Sequence, residues 1–312
     1  MRAILRRELS GYFDSLMGAG IIGAFVVLMM LLSLLLDPMG QGGDWFKRGE
    51  LSMRTFFGIF PWVAAVVVPA VSMRLWSEDR RQATFELLMT LPIPTWKICL
   101  GKYLAGLVFL AAMLGATLAM PLMMTQFGQP DWGPVLGGYF ACFVLGAAFL
   151  AIGLFLSGLT ENQALAFFLG MMFCLGLVGL GETRTFLGDL ARSQPNAALV
   201  HIVTIPIVAL AILAAAAGRD KAVGAASAAL GLVVNTGVYL WAAPAPLDGK
   251  TVREMTPQGE AVVAALSQIS VLDHFKEIER GVIYSNGLVF FGSLVVMFVL
   301  LNVWSLESRR YS

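Results

Sequence analysis

The sequence predicts an all-α integral membrane protein, and three observations carry that prediction. Of 312 residues, 58% are hydrophobic and 13% charged, with a mean hydropathy of +0.79; a soluble domain has about 45–50% apolar and about 25% charged residues. Apolar runs of the length a bilayer core demands, about 20 helical residues for about 30 Å, recur eight times along the chain. Within those runs there is no Asp, Glu, Lys or Arg. The balance of 21 basic against 20 acidic residues lacks the basic footprint of a nucleic-acid-binding chain. Cys99, Cys142 and Cys174 lie in apolar sequence without CxxC spacing, so neither a disulfide framework nor a metal site is expected.

Residues 1–15 mix Arg2, Arg6, Arg7, Glu8 and Asp14 with Ile4, Leu5, Leu9, Tyr12 and Phe13 at helical spacing, which predicts an amphipathic helix lying in the membrane interface. The spans follow as Met17 to Leu36, Thr55 to Met73, Tyr103 to Thr125, Val135 to Leu159, Gln163 to Gly181, Leu199 to Gly218, Ala222 to Trp241 and Gly287 to Leu306. No small-residue cleavage site follows Leu36, so the first span is read as retained. Pro61, Pro69, Pro121 and Pro206 fall inside spans and are candidate hinges, because each removes a helix hydrogen bond. Glycine and alanine at helical intervals, as at Gly137, Ala141 and Ala148 or Gly170 and Gly176, predict close helix contacts.

Lys and Arg close to span ends set the orientation. With the N-terminus in the cytoplasm, the clusters Arg6-Arg7, Arg80-Arg81, Arg219-Asp220-Lys221 and Arg309-Arg310 all fall inside, and both termini are cytoplasmic. Residues 243–286 then form the longest external segment. Val262, Leu266, Ile269, Leu272 and Phe275 recur there at helical intervals, predicting an amphipathic helix on the outer membrane surface that carries His274 and ends near Arg280 and Gly281. The charge-free spans disfavour an ion-driven carrier, which keeps intramembrane charges to bind its driving ion. His201 reads as an interfacial anchor rather than a proton shuttle.

The informative internal segment is 74–98. It packs Glu78, Asp79, Arg80 and Arg81 together as a charged loop, continues in a short helix over Ala83 to Met89, and closes on a stiff Leu91-Pro92-Ile93-Pro94 turn. Thr84 is placed to cap that helix, and Glu86 near its start suits the helix dipole. A short helix hung on a proline strap is a part that another protein can push.

The order of Glu78, Arg81, Thr84-x-Glu86-Leu87-Leu88, Leu91-Pro92 and Gly101-Lys102 resembles the permease subunits of ABC-2-type transporters. The C-terminal stretches Ser270 to Phe275, Arg280 to Ile283 and Leu306 to Arg310 are similar to the branch of gliding-motility permeases and the permease of nitrous-oxide-reductase maturation. The resemblance implies a type V exporter-like permease fold, with a six-helix core and an inserted transmembrane hairpin over 199–243. It also implies that one permease domain fills residues 1–312 in the bacterial inner membrane. The chain has no GxxxxGK[ST] phosphate loop, so ATP and Mg are expected on a separate ATP-binding subunit and no enzyme activity on this chain. By resemblance, that subunit would contact Glu78, Arg80, Arg81, Thr84, Glu86, Leu87, Leu88, Leu91 and Pro92, and a second permease copy or a related subunit would complete the assembly amid membrane lipids.

Two other classes compete. A non-transporting permease-like subunit would pass ATP-driven motion to a periplasmic partner on 243–286. A lipid-modifying enzyme would use His274 or His201 beside Asp273 or Glu277, but no metal-ligand motif supports it.

Overall fold

The structure, a computed structural model, describes residues 2–14, 16–35, 53–82, 84–90, 92–126, 131–193, 270–279, 281 and 285–310. Those residues are helical apart from short connections. In chain order the helices are α1 (Arg2–Phe13), α2 (Leu16–Leu35), α3 (Arg54–Ser72), α4 (Arg74–Arg81), α5 (Thr84–Thr90), α6 (Thr95–Thr117), α7 (Ala119–Met124), α8 (Trp132–Leu159), α9 (Gln163–Ser193), α10 (Val271–Glu279) and α11 (Ser285–Arg310).

Among the described residues, five stretches of helix are long and apolar enough to cross a membrane: Arg54–Arg81, Thr95–Met124, Trp132–Leu159, Gln163–Gly181 and Ser285–Ser308. A sixth is added if α1 and α2, bent by 62° between them, count as one broken span. Six of the eight predicted spans thus have a helical counterpart. The predicted hairpin over 199–243, with His201 and Pro206, lies outside the described residues, as does most of 243–286.

The chain forms two compact units, Met1–Cys174 with His274–Ser312, and Leu175–Asp273. In the first, α8 is the central helix, packed against α3, α4, α6 and α11. Its sequence explains the position. Gly138, Gly146 and Gly153 leave notches: a Cβ on Gly138 would meet the Phe57 ring of α3, one on Gly146 would meet Leu110 of α6, and one on Gly153 would meet Ser72 of α3. Leu150 of α8 fills the complementary notch at Gly106 of α6. Apolar helices in lipid gain nothing from burial against each other, so close packing of this kind holds them together.

The prolines act locally. Pro121 cannot donate to the carbonyl of Thr117, and its ring crowds that group, so α6 ends and α7 begins at Leu118. The freed Thr117 carbonyl accepts from the Tyr139 hydroxyl at 3.0 Å. Pro61 and Pro69 are buried within α3.

Between α3 and α4 the turn at Met73 leaves the N–H groups of Trp76 and Ser77 facing α8. Ser157 accepts from both, at 3.1 and 3.2 Å, and donates to the Met73 carbonyl at 2.8 Å. One buried hydroxyl therefore satisfies three backbone groups that a break in the helix would orphan. Asn302 bridges α11, α8 and α6, donating to the Leu154 carbonyl at 3.0 Å and accepting from the Cys99 thiol at 3.2 Å.

The predicted surface helix differs from expectation. Its described part is α10, and its apolar side packs on protein: Phe275 stacks on Phe60 of α3 with centroids 6.4 Å apart. His274 lies flat on Phe290 at 4.3 Å. Ile278 closes against Gly287, and Gly281, at φ +79°, ends the helix with its N–H on the Ile278 carbonyl at 3.0 Å. Aromatic stacking partners within the bundle outcompete the membrane surface for this face. Leu272 is buried, and Arg280 lies outside the described residues. Within the second unit, Ser270 accepts the N–H of Asp273 at 3.1 Å and starts α10, and a Cβ on Gly181 of α9 would collide with Leu272.

Candidate functional site

A knot of charge lies where α1, α4 and α6 meet. Lys102, in the second turn of α6, is 1% exposed. Its ammonium touches Asp79 Oδ2 of α4 at 2.6 Å and Glu8 Oε1 of α1 at 2.9 Å, and donates to the Leu75 carbonyl. Its three donors thus have three acceptors, and the ring of Trp76 lies 4.9 Å away. A buried charge is tolerable only under such conditions, because desolvation otherwise outweighs attraction. Arg7 extends the knot through Nη2, at 2.6 Å from Glu8 and 3.2 Å from Asp79. Two carboxylates, one ammonium and one guanidinium thereby tie three helices at one point. Tyr12 strengthens the attachment of α1, stacking on Phe109 of α6 at 4.7 Å and donating to the Val71 carbonyl of α3 at 3.2 Å.

The charged block that the sequence suggests as loop is helix. Residues Arg74–Arg81 form α4, which runs on from α3 as part of one 28-residue stretch. Charge marks where a chain leaves apolar surroundings, and nothing in it ends a helix. Thr84 also departs from expectation: its hydroxyl donates to the Asp79 carbonyl and carboxylate at 3.2 and 3.1 Å, tying α5 back to α4. A carboxylate is a stronger acceptor than a neutral carbonyl, and Lys102 holds Asp79 in place to receive the bond.

Eight of the nine predicted contact residues are described, and they divide into two sets. Glu78 accepts from Gln163 of α9, from Gln82 at 2.6 Å and from Arg81 at 3.0 Å. Arg80 donates to the Gly158 carbonyl of α8 at 2.7 Å and lies over the Phe85 ring at 4.5 Å. Leu88 is 4% exposed. With Thr84, these residues hold the two short helices to the bundle. The outward set is Arg81, Glu86, Leu87 and Pro92, with Leu87 68% exposed. Trp96, on the first turn of α6, adds a second large apolar side chain at 50% exposure. Leu91 lies outside the described residues.

Asp79 is the centre of the arrangement, yet by itself it is one more acid in a charged run. Glu8 and the burial of Lys102 are likewise invisible to spacing, since Lys102 and Glu8 stand 94 positions apart. The charge-free reading of the spans placed Lys102 just outside them; α6 begins eight residues earlier, at Thr95, and takes it inside. The one available signal was Gly101-Lys102 in the resemblance.

What the geometry offers is a lever: an exposed tip on α5, a stiff arm through α4 into the long α3, and a charged root that joins α1 and α6 to the arm. No group of His, Cys, Asp and Glu among the described residues is arranged to hold a metal ion. Comparisons with known proteins bear on the family of the chain. The probable multidrug ABC transporter permease YbhR of Escherichia coli K12 is 28% identical over 105 residues, and so is the protein of that name in Escherichia coli O157:H7. The matched stretch is 34% of this chain and spans 27% of the length of those curated relatives. No solved structure matches. A family model described as ABC-2 family transporter protein matches residues 51–217, more than half of the chain and the part containing α3 to α8, so the chain belongs to the ABC-2 transporter family as a multi-pass membrane permease.

Proposed function

We propose that this permease works in an ATP-driven exporter of the bacterial inner membrane, and that α4 and α5 are the piece a separate ATP-binding subunit grips on the cytoplasmic side. The observation that carries the reading is the exposure of Leu87, beside Glu86, on a helix whose root is fixed by the buried ion pairs of Lys102. A large apolar side chain on a short solvent-side helix, rimmed by charge, suits a protein groove, where such an anchor contributes about 2 kcal/mol. Motion of the partner on binding ATP would pass from α5 through α4 to α3, and through Lys102 to α1 and α6. A ligand shifts such an equilibrium only by its differential affinity for the two states. ATP and Mg belong to the partner in this reading, and two permeases, identical or related, complete the assembly. The C-terminal motifs support placing it in the gliding-motility and nitrous-oxide-reductase-maturation branch.

The test is the intact chain purified with its ATP-binding subunit. Leu87→Asp is expected to leave chain abundance and membrane insertion unchanged while weakening retention of that subunit about tenfold or more. Glu86→Lys is expected to lower permease-dependent ATPase activity. Unchanged ATPase coupling in both variants, and in a chain lacking 81–94, would overturn the assignment.

A further inference from the structure

The arm of the lever is interrupted at one residue. α3 ends at Ser72 and α4 begins at Arg74, yet both belong to one 28-residue stretch. Met73 between them has φ −55° and ψ −26°, within the range of a 3₁₀ turn, and a short 3₁₀ element inside a long helix often marks a hinge. Pro69, one turn earlier, has no N–H to give the Ala65 carbonyl, so the helix is already short of a bond on the approach.

Side chains from three other helices take hold of the backbone there. The carbonyls of Val71, Met73 and Leu75 accept from Tyr12 of α1, Ser157 of α8 and Lys102 of α6. Ser157 does more than the other two, because it also accepts the N–H groups of Trp76 and Ser77. In an unbroken helix those N–H groups belong to the carbonyls of Ser72 and Met73. The joint therefore has two sets of partners, one supplied by α8 and one by its own chain. Exchange between them needs little rotation, since Met73 is already near helical angles, and it costs little, since each backbone group keeps a partner. The freed hydroxyl has the Gly153 carbonyl one turn back on its own helix. A side chain inserted in a helix's hydrogen-bond ladder is itself a cause of bending.

The seat on α8 is otherwise bare. Gly153 and Gly158 flank Ser157; a Cβ on the first would collide with Ser72, and one on the second would lie 3.6 Å from the Trp76 ring. Glu78 and Arg80 tether the arm further on, to Gln163 and Gly158, through long side chains that can follow a change of angle. We infer that Met73 is the hinge of the arm and that Ser157 is its latch. With the hydroxyl in the ladder, α8 fixes the angle of α4 to α3; when it withdraws, the ladder closes into one continuous helix and the arm swings. The inference rests on reading α4 and α5 as an arm that a partner moves, and adds where the arm turns and which residue holds it. A joint with two arrangements is what a partner's differential affinity can act on.

The experiment places spin labels on the full chain at Leu87→Cys, on the tip, and Leu136→Cys, on the body of α8, both exposed, among native cysteines that are buried. Double electron–electron resonance is expected to give one tip-to-α8 distance with Ser157 present and a second with Ser157→Ala, the ratio of swung to latched arm rising about tenfold for the lost hydrogen bonds. Alanine is the better helix former, so the variant is expected to fold. Hydrogen exchange of the unsubstituted chain needs no variant: residues 72–78, although Leu75, Trp76 and Ser77 are buried, are expected to exchange faster than residues 58–68 of the same span. A folded Ser157→Ala that keeps the single original distance, or residues 72–78 as protected as 58–68, would overturn the hinge. Addition of the ATP-binding subunit with ATP is expected to draw the chain with Ser157 to the second distance. If Ser157→Ala swings while the chain with Ser157 ignores ATP, the hinge stands and the ATP-coupling reading falls.

Discussion

Replacing Lys102 by methionine keeps the length of the side chain and removes its charge, leaving Glu8 and Asp79 in a shared, largely buried space with Arg7 as their remaining counter-charge. Breaking a buried ion pair from one side costs about 3–5 kcal/mol, so Lys102→Met is expected to lower the unfolding temperature of the detergent-solubilised chain markedly. Asp79→Leu in the same background removes one of the stranded carboxylates and is expected to recover part of the loss; equal stability of Lys102→Met and wild type would show that the knot carries no load. The three residues also show where reading a sequence stops. Glu86 and Leu87 are legible because a local pattern surrounds them, and both are found exposed. Glu8, Asp79 and Lys102 draw their meaning from one another across distant positions, and no spacing rule connects them. Thr84 illustrates the same limit at short range, since its hydroxyl turns to a carboxylate that is held in place by that distant lysine.

Helices were legible wherever apolar length alone decides them. The spans starting near Thr55, Tyr103, Val135, Gln163 and Gly287 all appear, because about 20 apolar residues admit one solution in lipid, a helix that satisfies its own backbone. Their ends were less legible. Hydropathy reports where surroundings become polar, whereas α4 continues past that point and α6 starts before it. The small-residue spacing marked some of the close glycines: a Cβ at Gly137 would lie 2.7 Å from the backbone Cα of Gly281 and one at Gly170 3.1 Å from Pro69, whereas one at Gly176, or at Gly115, meets nothing within 4 Å. Backbone cannot rotate away as a side-chain tip can. Gly137→Ala is therefore expected to cost about 1–3 kcal/mol by forcing α8 from the turn that ends α10, and Gly115→Ala to be neutral or stabilising by up to about 1 kcal/mol. Thermal unfolding of the two variants side by side tests the contrast, and matching losses would refute it.

At the scale of the molecule, the lever explains function only if its tip and the opposite end of the bundle face different compartments. The proposed function expects the tip in the cytoplasm, because Arg80, Arg81, Lys97 and Lys102 cluster at that end and basic residues near span ends are generally kept inside. Residues 95–124 are long and apolar enough to cross once, and in that orientation Asp131 and Trp132 at the start of α8 would lie on the far side. Single cysteines report this directly, since the native Cys99, Cys142 and Cys174 are all buried and give little background. A membrane-impermeant maleimide is expected to label Trp132→Cys in intact spheroplasts and Leu87→Cys only after the membrane is opened or inverted. Both positions are exposed enough to react, at 43% and 68%, so failure of labelling cannot be put down to burial. Labelling of Leu87→Cys from outside would place the lever where no ATP is found, and the charged root, however well built, would then serve some other partner.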